Sequence, residues 1–400
     1  MNTKLVIFGI TGDLSTRKLL PALEHIIGAG GRDDVSIIGV SRRDVNVREL
    51  LQSSTGSEAL ANRTSMFTMD LARAGDYGLL RDHLALTPDE QAVIYLSVPP
   101  SAATDIVEYL GQAGLNTPNV KLLFEKPFGF DFESAQEAIT RTARYFDEQQ
   151  IYRIDHYMAK EIAGELVRLR SDAANHHHAW NNQSIRAIDV VASEKIGIEG
   201  RATFYEQTGA LRDVVQGHLM QLLSLVLMPV PPDFDADVLA PHRLQALQAI
   251  APADPTKAIR GQYSGYQAEV ANIGSQTETY ALVELASADA QWQGVAIRLI
   301  AGKNLEQKQS FVAVHYHDGT TDVFDETTML QLADDRLPDA YERVLEDAID
   351  SRKAIFTGSE EVLQSWHILA PVQRAWEFGD SIVQYQPGSH WSDIGTISVE

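Results

Sequence analysis

The chain of 400 residues has no cysteine. That excludes disulfides, thiol nucleophiles and thiolate metal sites, and makes a reducing cytoplasm the expected compartment. It has no apolar run long enough to cross a membrane. Its first residues do not read as a signal sequence, because Lys4-Leu-Val-Ile-Phe-Gly9 is a short strand running into a glycine turn. Positive charge is scarce: 33 Lys and Arg face 55 Asp and Glu, a formal net charge of −22. Nucleic acid and anionic membrane surfaces are therefore poor partners. The same scarcity gives weight to every local group of Lys, Arg and His, since an anionic ligand must be received there or at a helix N-terminus. No internal repeat or coiled coil is present. What remains is an ordinary globular composition, 44% hydrophobic and 22% charged, long enough for about two domains.

Residues 1–150 read as alternating strands and helices. An apolar strand over 3–9 ends at Gly9-Ile-Thr11-Gly12-Asp13-Leu14, and a helical pattern from Ser15 or Thr16 runs through Leu19, Leu20, Leu23 and Ile27. Strand, glycine turn and helix is the context of a dinucleotide-binding turn, although a full G-x-G-x-x-G would also need glycine at Thr11 and Leu14. A second strand over 35–40 ends in Ser41-Arg42-Arg43, where a fold reading NAD usually carries an acidic residue. Arginine suits a 2′-phosphate, so NADP is expected, with NAD a weaker alternative and a pair of plain surface arginines still open. Further strands at 66–69, 92–97 and 120–124, with helices between them, predict a parallel sheet. Two strands end in Leu96-Ser-Val-Pro99-Pro100 and Phe124-Glu-Lys126-Pro127, loops expected at the ligand-binding edge of the sheet.

Residues 151–400 read as a second, larger domain. It opens on Ile151-Tyr-Arg-Ile-Asp155-His156-Tyr157-Met-Ala-Lys160-Glu161, which crowds a carboxylate, an imidazole, a phenol and an ammonium together. A helix beginning near His156 puts His156 and Lys160 one turn apart at an anion-favouring N-terminus. His176-His-His178 reads as a solvated loop. A strand over 185–193 leads to Glu194, and a helix over 209–226 carries Asp213, Gly217 and His218 beside its apolar stripe. Strands at 277–286, 295–300 and 309–316 alternate like an antiparallel sheet, two of them joined by a loop with Lys303 and Lys308. A helical pattern covers much of 337–379. The fold class expected is α/β plus α+β: a Rossmann-like domain, then a mostly antiparallel sheet with helices.

Taken together, the motifs identify the chain as resembling the glucose-6-phosphate dehydrogenase family. The resemblance rests on G-I-T-G-D-L-S-T-R-K-L-L-P-A-L (9–23), Y-L-S-V-P-P (95–100), F-E-K-P-F-G (124–129), R-I-D-H-Y-M-A-K-E (153–161), S-E-K-I-G-I-E-G-R (193–201), G-A-L-R-D-V-V-Q-G-H-L-M-Q (209–221), R-G-Q-Y (260–263) and A-G-K-N-L-E-Q-K (301–308). It implies oxidation of glucose 6-phosphate by NADP, without a metal. It further implies that Gly9, Thr11, Gly12, Asp13, Leu14, Arg42, Pro99 and Lys126 bind cofactor. Lys126 also touches substrate, His156, Tyr157 and Lys160 hold its phosphate, and Glu194, Asp213, Lys303 and Lys308 bond its hydroxyls. His218 is implied as general base, with Asp155 as the carboxylate that orients it.

Departures from the family pattern are also legible. The chain is shorter than members usually are, with a trim between Asp44 and Thr68 and a larger one after Val314. The long sheet that commonly builds the family's homodimer is thus abbreviated. Ala159 and Gly217 replace the usual glycine and asparagine. Two other readings stay open: a sugar dehydrogenase of the glucose–fructose oxidoreductase type, and a catalytically silent NADP-binding relative.

Overall fold

In the computed structural model, residues 1–28, 32–171, 178–231, 234–325, 338–377, 379 and 381–395 are described. His176 and His177 lie outside them. The described residues form two units, each built on one seven-stranded sheet.

The first sheet uses β1 (Asn2–Phe8), β2 (Val35–Ser41), β3 (Thr64–Thr68), β4 (Glu90–Leu96), β5 (Val120–Phe124), β6 (Ile151–Ile154) and, from far down the chain, β13 (Phe356–Thr357). Their order is β13-β6-β5-β4-β1-β2-β3, parallel throughout except for the antiparallel β13. This is doubly wound topology, with strand order reversing at β1, between β2 and β4. In β1, Leu5, Val6, Ile7 and Phe8 are all fully buried. Successive side chains point to opposite faces. Leu5 and Ile7 accordingly meet Leu19, Leu20, Leu23 and Ile27 on one side. Val6 and Phe8 meet Tyr77, Leu80, Ile106 and Leu110 on the other. Each such side chain stabilises the fold by about 1.5–3 kcal/mol.

The expected division at 150/151 differs from the packing. The first unit comprises 1–129, 133–159 and 338–359. The returning helix Ala340–Ile349 drives Val344, Leu345, Ala348 and Ile349 into the same apolar layer as β1. Its C-terminal carbonyls are capped by buried Lys121, whose Nζ donates to Ala348 O at 2.7 Å and Ile349 O at 3.2 Å. No local pattern in the sequence announces that return.

The second sheet uses β7 (Ile185–Ser193), β8 (Ala258–Tyr263), β9 (Tyr280–Leu285), β10 (Ala296–Gly302), β11 (Gln309–Tyr316), β12 (Thr321–Asp325) and β14 (Val383–Tyr385). The order is β12-β11-β7-β10-β9-β8-β14. Pairing is mostly antiparallel, as expected, but β7–β10 and β8–β14 are parallel. Against β7, β9 and β10 lies the segment Leu211–Leu219, which buries Val215 and Leu219. The expected single helix over 209–226 is three pieces: Ala202–Ala210, a π-wound Leu211–Leu219, and Met220–Leu227. His178 packs against Tyr316 with ring centroids 4.1 Å apart and planes tilted by 30°, so this member of the histidine run is not simply solvated.

Among the described residues, no helix is long and apolar enough to cross a membrane.

Candidate active site

In the first unit the glycine turn sits where β1, β2 and β4 end together. Gly9 N–H donates to Val40 O at 3.2 Å, Ser97 N–H donates to Phe8 O at 3.1 Å, and Ser15 Oγ donates to Gly9 O at 3.0 Å. Gly9 has φ +77°, and a Cβ there would lie 2.3 Å from Ser97 O, so only glycine fits. Gly12 N–H donates back to Gly9 O at 2.9 Å, closing the turn from which Ser15–Leu19 rises as a π-wound first turn. Thr11 and Asp13 are exposed and Leu14 half-buried. Asp13 pairs with Arg17 at 2.7 Å in water, a contact of small energetic weight. Arg42 is exposed just past β2, and exposed Pro99 precedes the helix Pro100–Gln112. A switch-point crevice with a glycine turn, and with arginine where NAD-binding folds place an acid, fits a dinucleotide carrying a 2′-phosphate.

Lys126 is half-buried beyond β5. Next to it stands a pair that the sequence reading did not single out. Tyr95 OH, next to the end of β4, donates a short hydrogen bond to Glu125 Oε1. Burial pushes the Glu125 carboxyl up to about 7, against opposing pulls from Tyr95 and Lys126.

The stretch after β6 is not yet helix. Asp155 is buried, and its Oδ1 accepts Tyr157 N–H at 3.0 Å. Met158 N–H then donates to Asp155 O at 3.0 Å and Ala159 N–H to His156 O at 3.3 Å, i→i+3 bonds of a turn. The helix begins only at Glu161, with Ala163 N–H reaching Lys160 O at 3.1 Å. The expectation of His156 and Lys160 on one helical face is therefore corrected. The aspartate captures the backbone in a local turn of the kind such short acidic side chains favour over helix. His156 and Tyr157 lie on that turn, and Lys160 stands immediately before the helix.

In the second unit the parallel pair β7–β10 aligns Ser193 with Gly302, so Glu194 and Lys303 follow side by side past the two strand ends. Glu194 N–H donates to Gly302 O at 2.8 Å, and the Lys303 ammonium forms a close ion pair with Glu194. Lys303 is buried and lies 5.3 Å above the ring of Tyr205. Tyr205 is fully buried, and its hydroxyl has no hydrogen-bond partner among the described residues. Burial, together with the charges of Asp213, Glu278 and Glu194, pushes its phenol well above the ordinary range. The Glu194–Lys303 pair thus packs against a buried phenol that also feels the charge of Asp213. Lys308, by contrast, is exposed. Asp213 is half-buried and His218 buried, both on the π-wound segment. Tyr205 and Glu278 carry no motif of their own, and nothing in the chain's periodicity singles them out.

Comparison with known proteins gives matches over the whole chain. The family model described as glucose-6-phosphate dehydrogenase, NAD binding domain, matches residues 6–164, and the C-terminal domain model of the same family matches 167–337 and 328–393. The glucose-6-phosphate 1-dehydrogenase of Gluconobacter oxydans is 31% identical, over 98% of this chain and 94% of its own length. That of Rhizobium meliloti is 29% identical, over 98% and 95%. Among solved structures, a glucose-6-phosphate dehydrogenase in complex with its substrate glucose 6-phosphate is 25% identical with a TM-score of 0.89, covering 100% of this chain and 99% of that one. The enzyme of Mycobacterium avium is 31% identical with a TM-score of 0.84, covering 98% and 95%.

Proposed function

The chain belongs to the glucose-6-phosphate dehydrogenase family, and on that premise we propose that it oxidises D-glucose 6-phosphate to 6-phospho-D-glucono-1,5-lactone with NADP. The observation that carries the reading is the Glu194–Lys303 ion pair against the Tyr205 ring, at the ends of a parallel strand pair. A part-exposed carboxylate held against a buried ammonium suits the hydroxyls of a sugar.

Oxidising a hemiacetal C1–OH needs a base for the hydroxyl proton while hydride leaves carbon. The chemistry that NADP supplies when bound is acceptance of that hydride at nicotinamide C4. His218 takes the C1 hydroxyl proton, a task suited to imidazole as a side-chain type. Asp155 holds the imidazole's tautomer and stabilises the imidazolium. His156, Tyr157 and Lys160 grip the 6-phosphate, remote from the reacting carbon, so that binding energy there orients C1. Glu194, Asp213, Lys303 and Lys308 bond the sugar hydroxyls, and Lys126 serves substrate and cofactor. Gly9, Thr11, Gly12, Asp13, Leu14 and Pro99 line the dinucleotide, and Arg42 takes the 2′-phosphate.

The proposal extends to a homodimer in the cytoplasm; sedimentation that returns only the monomer mass would refute the dimer. The test of the chemistry is the His218→Asn variant. Turnover of glucose 6-phosphate should vanish while NADP still binds. Turnover that survives the change removes His218 from the role of base.

A further inference from the structure

The segment that carries Asp213 and His218 does not begin as helices usually do. The preceding helix breaks at Gly209, which has φ +61° and ψ −177°, and winding resumes at Ala210. The first N–H groups of a new helical segment have no acceptor within it. Here two consecutive ones are met by a single residue from a distant part of the chain. Ala210 N–H donates to Glu278 O at 3.0 Å, and Leu211 N–H donates to Glu278 Oε1 at 2.9 Å. Glu278 lies just ahead of β9 and is 7% exposed.

Further features of the same place bear on this contact. A Cβ on residue 209 would lie 2.3 Å from Glu278 Oε1 and 2.7 Å from its Oε2, so the carboxylate occupies the space that glycine leaves open. A carboxylate at the start of a helical segment is stabilised by the partial positive charge there. Burial raises the Glu278 carboxyl, while the Leu211 N–H and the charges of Arg212 and Arg260 oppose that rise. The residue after it ties down the other side of the sugar-facing cluster. Thr279 O accepts Lys303 N–H at 2.9 Å, and Thr279 N–H donates to Gly261 O at 2.8 Å. One short strand entry therefore holds both the start of the π-wound segment and the loop of Lys303.

We infer that Glu278 is a positioning residue, whose carboxylate fixes the first turn of the π-wound segment and through it the placement of Asp213 and His218. The inference rests on the proposed reading of those two residues as substrate contact and base. The segment from 211 to 219 is wound i→i+5, and such winding occurs mostly as isolated turns inside α-helices, at functional sites. Tightening to i→i+4 turns its later residues relative to its first. With the Leu211 N–H anchored, the looser winding and the direction of His218 are set together. Glu278 touches no reacting atom; it acts through the backbone of Ala210 and Leu211.

The test compares Glu278→Gln, which keeps an acceptor for the Leu211 N–H, with Glu278→Ala, which removes it. With glucose 6-phosphate and NADP, Glu278→Ala should lower kcat about ten- to a hundredfold, the loss expected when a catalytic group is misplaced by about 1 Å. The KM for NADP should stay unchanged, and Glu278→Gln should recover most of the rate. Hydrogen exchange at the amides of 210–213 should speed up in Glu278→Ala and stay slow in Glu278→Gln. If Glu278→Ala does not fold, Glu278→Asp, one methylene shorter, carries the same test with the same expected direction. Unchanged kcat and unchanged exchange in a folded variant overturn the inference. So does an equal loss in both variants. A wild-type protein that fails to turn over glucose 6-phosphate sinks the functional reading instead, and the exchange comparison still decides whether Glu278 anchors the segment.

Discussion

Lys303 and Glu194 meet as an ion pair one residue past the ends of β10 and β7, the parallel pair inside a mostly antiparallel sheet. Lys303 is buried while the Glu194 side chain is 35% exposed, so the glutamate presents the pair to solvent. Glu194→Gln keeps the size and the hydrogen-bonding oxygen but drops the charge. It should raise the KM for glucose 6-phosphate by about tenfold, the loss of one charge-assisted hydrogen bond, and leave the KM for NADP in place. Steady-state kinetics with each ligand varied in turn reads this. Equal changes in both constants would place the pair outside the sugar site.

Asp155 does two jobs in this account, and two variants separate them. Asparagine at 155 still accepts the Tyr157 N–H that the aspartate accepts at 3.0 Å, so the turn is kept and only the charge is lost. Asp155→Asn should fold normally and lose kcat by roughly a hundredfold or more. Asp155→Ala should also lose stability, by about 1–3 kcal/mol for a buried N–H left without its acceptor. Thermal melts beside kcat check both. An Asp155→Asn enzyme at wild-type kcat contradicts the partner role.

Arg42 stands exposed beyond β2, where its only proposed task is a phosphate. Arg42→Ala should weaken NADP by about ten- to a hundredfold, equivalent to about 1.5–3 kcal/mol for a charge-assisted contact, and barely change NAD. Titration with each dinucleotide measures the ratio. An unchanged preference would move the 2′-phosphate to another cation, such as Arg43 or Arg17.

Glu125 predicts a pH effect on stability. Its carboxyl is raised from an ordinary value of 4.5 to about 7. The native chain therefore keeps the proton longer than the unfolded chain, and stability falls as pH rises through that window. Glu125→Gln cannot ionise, so it escapes the fall. Relative to wild type, it should gain about 1–3 kcal/mol between pH 5 and pH 8. Melts at the two pH values test this; parallel pH dependence in both proteins would mean that Glu125 does not titrate there.

Much of this was legible in the chain because the signals were local. Gly9 announced a turn that only glycine can make, and the apolar strands around it announced a parallel sheet. The Glu194 and Lys303 motifs could be quoted from sequence, yet their pairing depends on β7 and β10 lying parallel, which no spacing reveals. The 3.6-residue periodicity of 209–226 signalled a helix but hid its π winding, and no local pattern shows that Glu278, far along the chain, accepts the Leu211 N–H at its start. The helix expected from His156 starts at Glu161 because one aspartate side chain competes for the backbone. The return of 338–359 to the first unit is likewise non-local: Val344 and Leu345 are apolar for the sake of partners more than three hundred residues earlier, such as Leu5 and Leu20.

Steady-state rates over four pairs decide whether the enzyme carries out an NADP-linked oxidation of a phosphorylated sugar: glucose 6-phosphate or glucose, each with NADP or NAD. The highest kcat/KM is expected for glucose 6-phosphate with NADP, a lower value with NAD, and little turnover of glucose with either. Equal rates for glucose and glucose 6-phosphate would contradict it.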